Sequence, residues 1–132
     1  MASELRVNTL KDASGNNSIA TSFVAGGSAK AWANLNGTGT PAFRDSFNIS
    51  SLSDDAAGKY TTSYTTAMSD ANYSLSSVGG TRDVGESTTK IIIYDADDTF
   101  TASATQMRFI SRADDTESDN THGFTQIHGD LA

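Results

Sequence analysis

Short runs in which apolar and polar residues alternate recur about every 10 to 15 positions along most of the chain. A period of two is typical of strands with one face buried, and no window has the i, i+3, i+4, i+7 spacing of an amphipathic helix. Turn residues separate the runs. The pattern predicts an all-β protein: a single antiparallel β-sandwich or jelly-roll-like domain of about eight short strands, with an extended N-terminal arm. The predicted strands are 19–24, 29–35, 43–51, 59–68, 73–78, 90–94, 100–110 and 124–127.

Three runs carry finer predictions. Strand 59–68 should bury alternate side chains beginning with Tyr60, because its aromatic residues share one parity. The dense apolar run 90–94 is typical of a central strand covered on both sides. The long run 100–110 changes parity near Gln106, which indicates a bulge or two short strands.

Residues 1–18 form a separate N-terminal arm in this interpretation, and residues 19–132 form the sandwich. Apolar Val7 and Leu10 precede a segment, 11–18, that is rich in turn-forming residues. At roughly 3.3 Å per residue, such an arm is long enough to reach a neighbouring molecule. The alternative is a frayed terminus. Attachment or intersubunit contacts are predicted at Val7, Leu10, Ile19 and Phe23.

The composition predicts a thin core, because only 36% of the 132 residues are apolar and many of those are alanines. Small domains with thin cores commonly rely on disulfides, metals or oligomerisation. The sequence has no cysteine, so disulfides are excluded and oligomerisation becomes the favoured solution.

The formal net charge of −7 argues against nucleic acid and against anionic membranes as partners, since both need a basic face. No apolar run approaches the ~20 residues that span a bilayer. The first residues lack the pattern of a signal peptide. We therefore expect no membrane insertion and no secretion signal in this chain.

The chemistry-bearing residues do not form a convincing catalytic or metal motif. His122 and His128, on one face of a strand, would lie about 20 Å apart, too far to share an ion unless symmetry-related copies meet. The acidic run at Asp95, Asp97 and Asp98 lacks the spacing of a calcium loop, so a solvated hairpin turn explains it more simply. No serine lies in a nucleophile-elbow context. We expect no enzyme activity and no cofactor.

The only tryptophan, Trp32, has two interpretations. Its ring could anchor the core or a subunit interface, where aromatic side chains contribute most burial. It could also be an exposed platform for a sugar ring. Burial is the favoured interpretation.

Several motifs in a fixed order resemble tail-fibre and appendage proteins of tailed bacteriophages, especially phages of marine bacteria. The shared pattern is lysine-alanine-tryptophan with an asparagine/glycine turn, a serine-phenylalanine-asparagine strand, a tyrosine-led strand after an aspartate/glycine turn, and alanine-asparagine-tyrosine. The resemblance covers roughly residues 7–78. It is carried by Val7–Ser18, Ala29–Gly39, Arg44–Asp54, Gly58–Tyr60 and Asp70–Tyr73.

The resemblance implies a virion protein with a β-rich fold, made in the host cytoplasm and assembled as a homotrimer with other virion proteins. The chain starts shortly before the shared pattern, so we expect attachment through the short arm, or a knob on the tail or capsid. Contact with a host surface glycan or protein is the expected role. The alternatives are a capsid decoration (head-fibre) protein and a free carbohydrate-binding module. The receptor-facing loops would carry Asp95, Asp97, Asp98, Arg112, Asp114 and Asp115.

Overall fold

A computed structural model of the chain describes residues 3–80, 90–93, 99–111 and 115–132. Within these ranges the protein is built almost entirely from antiparallel strands, which confirms the predicted all-β sandwich. In chain order the elements are β1 (Thr9–Lys11), β2 (Ser18–Ala20), α1 (Thr21–Gly27), β3 (Ala31–Asn36), β4 (Ala42–Phe47), β5 (Ile49–Ala56), β6 (Lys59–Tyr64), β7 (Ser74–Gly80), β8 (Lys90–Ile93), β9 (Phe100–Thr101), β10 (Ala104–Ser111) and β11 (His122–His128).

Two sheets form the sandwich. Sheet I has the strand order β4-β3-β11-β7, and sheet II has the order β5-β6-β10-β8, with β9 paired to β10. The sheets meet along both sides, because β4 leads directly into β5 and β7 lies beside β8. Among the described residues, eight sandwich strands have four or more residues, close to the predicted number, although the predicted strand 19–24 is not one of them and the predicted strand 43–51 forms two.

The core fills the space between the two sheets. On β3 and β6, alternate side chains are buried and their neighbours are more exposed, as period-two patterning requires. Tyr60 and Tyr64 are buried as predicted. The core has two clusters: Ala31, Tyr64, Met68 and Ile127 at one end, and Leu35, Tyr60, Met107 and Phe109 at the other.

Two facing glycines make room for the ring of Phe109 in the core. Gly79 on β7 and Gly123 on β11 are register partners. A Cβ atom added to Gly123 would lie 2.5 Å from Phe109 Cζ, and one added to Gly79 would lie 3.0 Å from the same ring. Glycine within a strand often marks such a close approach. The Phe109 ring therefore lies against bare backbone of sheet I and packs edge-on against Tyr60.

The expectation of a central strand at 90–94 is wrong. β8 is the last strand of sheet II in the described part of the chain, where it pairs with β10. Ile92 packs against the core cluster around Phe109. The run 100–110 does form two strands, as one of the two interpretations predicted. The break falls at Ala102–Ser103, between β9 and β10, and not near Gln106.

The predicted strand 43–51 is divided between the two sheets at Asn48. This residue has a positive φ of 56°, a conformation that asparagine adopts more readily than most residues. Its amide Nδ2 donates to the carbonyls of Lys30 and Thr66, and its Oδ1 accepts from the backbone N–H of Thr66. Asn48 thus fixes the corner at which the chain leaves sheet I and enters sheet II.

The predicted strand 19–24 is also wrong beyond residue 20. Thr21–Gly27 forms a seven-residue helix, α1, whose first residue is tied to the preceding arm by a bond from Thr21 N–H to the Asn8 carbonyl. The arm itself is a two-stranded hairpin, β1–β2, and not a single extended segment. The predicted boundary at residue 18 therefore falls inside this hairpin. We call residues 3–28 the N-terminal segment.

Candidate binding surfaces

The N-terminal segment exposes apolar side chains that no part of its own structure buries. Leu10 and Ile19 are register partners in the hairpin, and each is more than two-fifths exposed. Phe23 on α1 is 73% exposed. No residue of α1 is buried. All four predicted contact residues, Val7, Leu10, Ile19 and Phe23, therefore lie exposed on one small segment.

The hairpin turn is held by its polar side chains. The carboxylate of Asp12 accepts hydrogen bonds from the Ser14 hydroxyl, the Asn16 N–H and the Asn17 amide. The bond from Ser14, with those from Asn17 and Asn16, holds the pKa of Asp12 below its usual range. Gly15 takes a positive φ of 73° at the tip. The turn-forming residues predicted here do form a turn.

Most of the predicted receptor-facing residues lie outside the described residues: Asp95, Asp97, Asp98, Arg112 and Asp114. Asp115 is described and exposed, as expected of a surface loop. It has a positive φ of 54°, and its N–H donates to the Ser111 carbonyl just after β10.

His122 and His128 lie at the two ends of β11 and share its outward face, as their spacing predicts. Both are partly buried. The His122 ring stacks on Phe124, and its Nδ1 lies 3.2 Å from the Thr121 hydroxyl.

Trp32 is not in the core. β3 turns Ala31, Ala33 and Leu35 inward, so Trp32 lies partly buried on the outward face of sheet I. The interpretation of Trp32 as a core anchor is therefore wrong, and its other form, an anchor in a subunit interface, stays a prediction. Side chains alternate between the two faces of a strand. The small alanines on either side of Trp32 fit between the sheets, so the indole ring lies on the outward face.

The outward face of sheet I carries an apolar stripe across its four strands. Register places Trp32 beside Phe47 and Gln126, and places Phe124 beside Val78. Phe47, Val78 and Phe124 are 54%, 66% and 44% exposed. A shallow trough of about 320 Å³ lies over β3, β11 and β7. It is lined by Trp32, Ala33, Ser76, Ser77, Val78, Phe124, Thr125 and Gln126.

The outward face of sheet II is different in kind. Over β5, β6 and β10 the central outward positions carry small polar side chains and one amide, Gln106, and the register partners Lys59 and Arg108 lie farther along the same face. Gln106 donates to the Asp55 carboxylate and to the Thr61 hydroxyl, so this face satisfies its own hydrogen bonds. In contrast to sheet I, the described outward side chains of β5 and β6 form no apolar stripe.

The sequence shows that the side chains of β11 alternate, but it does not show which of the two alternating sets faces inward. Within 122–128, Gly123, Thr125 and Ile127 alternate with Phe124 and Gln126. The larger aromatic residue suggests the inward set, but Gly123 must face inward to accommodate Phe109. Only the partner sheet supplies that information.

A second concavity lies where the N-terminal segment joins the sandwich. It has a volume of about 600 Å³ and lies between the end of α1, Phe47 and Leu131. The Lys30 ammonium donates to the carbonyl of Ala25 and to the Ser28 carbonyl and hydroxyl, closing the last turn of the helix onto the start of β3. This junction fixes where the segment leaves the sandwich.

Among residues 3–80, 90–93, 99–111 and 115–132, no three His, Asp or Glu side chains come close enough together to hold a metal ion. Over the same ranges, no helix is long and apolar enough to cross a lipid bilayer.

Comparison with known proteins finds no match: no protein-family model, no curated protein and no solved structure is significantly similar to this chain. The functional argument therefore depends on the surfaces described above.

Proposed function

We propose that this chain is a virion structural protein of a tailed phage, a fibre, fibre tip or knob that assembles as a homotrimer and contacts the host surface. The observation that carries the proposal is the N-terminal segment, which is folded but has no core. It has fewer than the ~40 residues that usually fold alone, yet it exposes Leu10, Ile19 and Phe23. One of the motifs that resemble phage appendage proteins, Val7–Ser18, lies in the same segment.

The physical reason for assembly is burial. Contiguous exposed apolar side chains mark interaction sites, and a segment that buries them against other subunits gains the hydrophobic free energy that the single chain lacks. The sandwich beside it is thinly filled, since alanines occupy two of the inward positions of β3. Added burial between subunits would stabilise both regions together.

The proposal is tested by the oligomeric state. Sedimentation equilibrium should give three times the chain mass of 13.8 kDa. The double substitution Leu10→Ser and Ile19→Ser should shift the protein to monomers while the β-rich circular dichroism spectrum is kept. Val78→Ser is the control, because it removes an even more exposed apolar side chain from the sandwich and should leave the trimer intact.

A monomeric wild-type chain, or a double variant that still forms trimers, would contradict the assembly. The virion assignment is tested by quantifying the chain in purified particles of the phage that encodes it. A copy number on the order of tens indicates a tail appendage, and one on the order of hundreds a capsid decoration protein on the coat lattice. Absence from the particle contradicts both.

A further inference from the structure

The trough on sheet I has the chemistry of a sugar site. Its floor and walls alternate between apolar and hydrogen-bonding side chains in two rows that cross three strands. Trp32, Gln126 and Ser76 form one row. In the other row, Phe124 lies beside Val78. Saccharide rings present C–H groups on their faces and hydroxyls at their edges, so they need this mixture of aromatic and polar contacts.

Gln126 is the polar group best placed to recognise a ligand. It lies on β11 directly between Trp32 and Ser76, and its side chain is exposed. Its amide offers two donors and an acceptor, which is the combination that adjacent sugar hydroxyls match. Gln106, the comparable residue on sheet II, is already bonded to Asp55 and Thr61.

The size of the trough favours a small ligand over a protein partner. Its volume of about 320 Å³ lies at the lower end of the ~300–1,000 Å³ range of small-molecule sites. A stable protein interface needs roughly 800 Å² from each partner, far more than this concavity offers by itself.

The charge of the site selects among saccharides. Of the described residues that line the trough, none is charged. Asp45 faces outward on the neighbouring β4, and the chain as a whole has a net charge of −7. Anionic sugars such as sialic or uronic acids would meet repulsion, and the described lining residues include no cation to offset it.

We propose that this trough binds a neutral saccharide, with the ring stacked against Trp32 and Phe124 and its hydroxyls hydrogen-bonded to Gln126 and Ser76. This proposal deepens the proposed function by naming the chemistry of the host contact. As a host contact, the saccharide site rests on that proposed function. A single shallow trough binds weakly, and several troughs presented on one oligomer would bind a glycan-coated surface with useful avidity.

The single tryptophan makes the test direct, because selectively excited indole fluorescence reports on this trough alone. The probes are neutral oligosaccharides of glucose, galactose, mannose and N-acetylglucosamine, with sialylated and uronate-containing analogues as the anionic arm. We expect saturable fluorescence changes with at least one neutral probe and weaker binding of its anionic analogue.

Three variants separate a sugar site from an apolar docking face. Gln126→Leu should weaken saccharide binding by about tenfold through the lost hydrogen bond, while enlarging the apolar area. Gln106→Leu on sheet II is the matched control and should leave the affinity within about twofold. Phe124→Ala should weaken binding by about tenfold through lost stacking. Thermal melts verify that each variant is folded.

Failure to bind any neutral probe would overturn the proposal. So would unchanged or tighter saccharide binding by Gln126→Leu, or stronger self-association of that variant, which would mark the face as a protein interface. The measurements are made on the wild type and on the Leu10→Ser/Ile19→Ser variant. Sugar binding by a chain that proves monomeric would contradict the proposed assembly and support the saccharide site. A trimer that binds no sugar would support the assembly and contradict the saccharide site.

Discussion

Similar apolar side chains are exposed in the N-terminal segment and buried in the sandwich. Phe109 in the sandwich is completely buried between two sheets, whereas Phe23 on α1 is 73% exposed. Both regions are folded and hydrogen-bonded, so local structure does not distinguish them. The difference is that the sandwich has a second sheet to cover its apolar face and the segment has none. A sheet or helix buries its apolar face against another layer, and the described residues supply none for the segment; in the assembly we propose, that layer comes from another subunit.

The two phenylalanines offer the largest contrast. Phe109→Ala should lower the free energy of unfolding by about 3–5 kcal/mol, because it leaves a cavity between the sheets. Phe23→Ala should change the stability of the sandwich by less than about 0.5 kcal/mol, since no packing there depends on it. Chemical denaturation of both variants provides the measurement. A large effect of Phe23→Ala in monomeric protein would show that the segment belongs to the sandwich core.

Two glycine-to-alanine substitutions test the same difference between the sandwich and the N-terminal segment, with smaller expected effects on stability. Gly123→Ala should cost about 1–3 kcal/mol, because its methyl group would collide with the Phe109 ring. Gly26→Ala in α1 is the matched change, and no atom lies within 4 Å of its added Cβ. It should leave the unfolding midpoint unchanged and raise helix content slightly. Adding Phe109→Leu to Gly123→Ala should recover part of the loss, and a purely additive double variant would argue against the collision.

The hydroxyl of Tyr60 is a polar anchor that the segment lacks. It lies 2.6 Å from Asp119 Oδ1 and 2.7 Å from the Gly37 carbonyl oxygen, and donates its proton to these acceptors. Tyr60→Phe should lower the free energy of unfolding by about 1–2 kcal/mol at neutral pH. Equilibrium denaturation against the wild type measures the difference.

Tyr60 also predicts an alkaline limit. Burial first, then the hydrogen bond and charge of Asp119, raises the pKa of this phenol above its usual value near 10. The unfolded chain releases the proton at about pH 10 while the folded chain keeps it, so stability falls as the pH rises above that point. Tyr60→Phe should flatten the fall. An equally steep fall in the variant would assign it to other groups.

The smallest expected effect is confined to the hairpin turn. Because the pKa of Asp12 is lowered in the folded turn, its contribution is present above about pH 4 and is lost as the pH falls through the depressed value. Amide resonances of Asn16 should shift between about pH 5 and pH 2, while those of Thr62 in the core should not. Asp12→Asn should remove the shift. Parallel loss of both sets of signals would mean that the two regions unfold together.

The fold class could be predicted because half-buried antiparallel strands show in the sequence as alternating apolar and polar residues. β3 and β6 follow it almost without exception. The prediction failed where local residues do not decide. Asn48 divides the predicted strand 43–51 through a backbone conformation, and β8 is the last strand of sheet II among the described residues although its composition is typical of a centre. The helix α1 is too short to show a period, and Ala20 gives it no side-chain cap.

The candidate surfaces were only partly predictable. The exposed arm residues could be recognised, because Val7 and Leu10 precede a turn in a segment with no other strands to cover them. The apolar stripe on sheet I could not be recognised in the sequence. Which residues belong to it depends on which set of alternating side chains of β3 and β11 faces sheet II. Gly123 and the alanines of β3 settle that choice, and their small size has meaning only against Phe109 across the core.

The pairing of β3 with β11 has a practical consequence for handling the protein. Ala31 lies opposite Ile127, and Ala132 donates its N–H to Ala67, beside the junction where the N-terminal segment leaves the sandwich. A reporter fused after Ala132 would crowd the segment proposed to dock. The exposed turn at Gly39–Thr40 is at the opposite pole. Affinity tags, fluorophores or displayed peptides are therefore best inserted in that turn, where assembly would be left undisturbed.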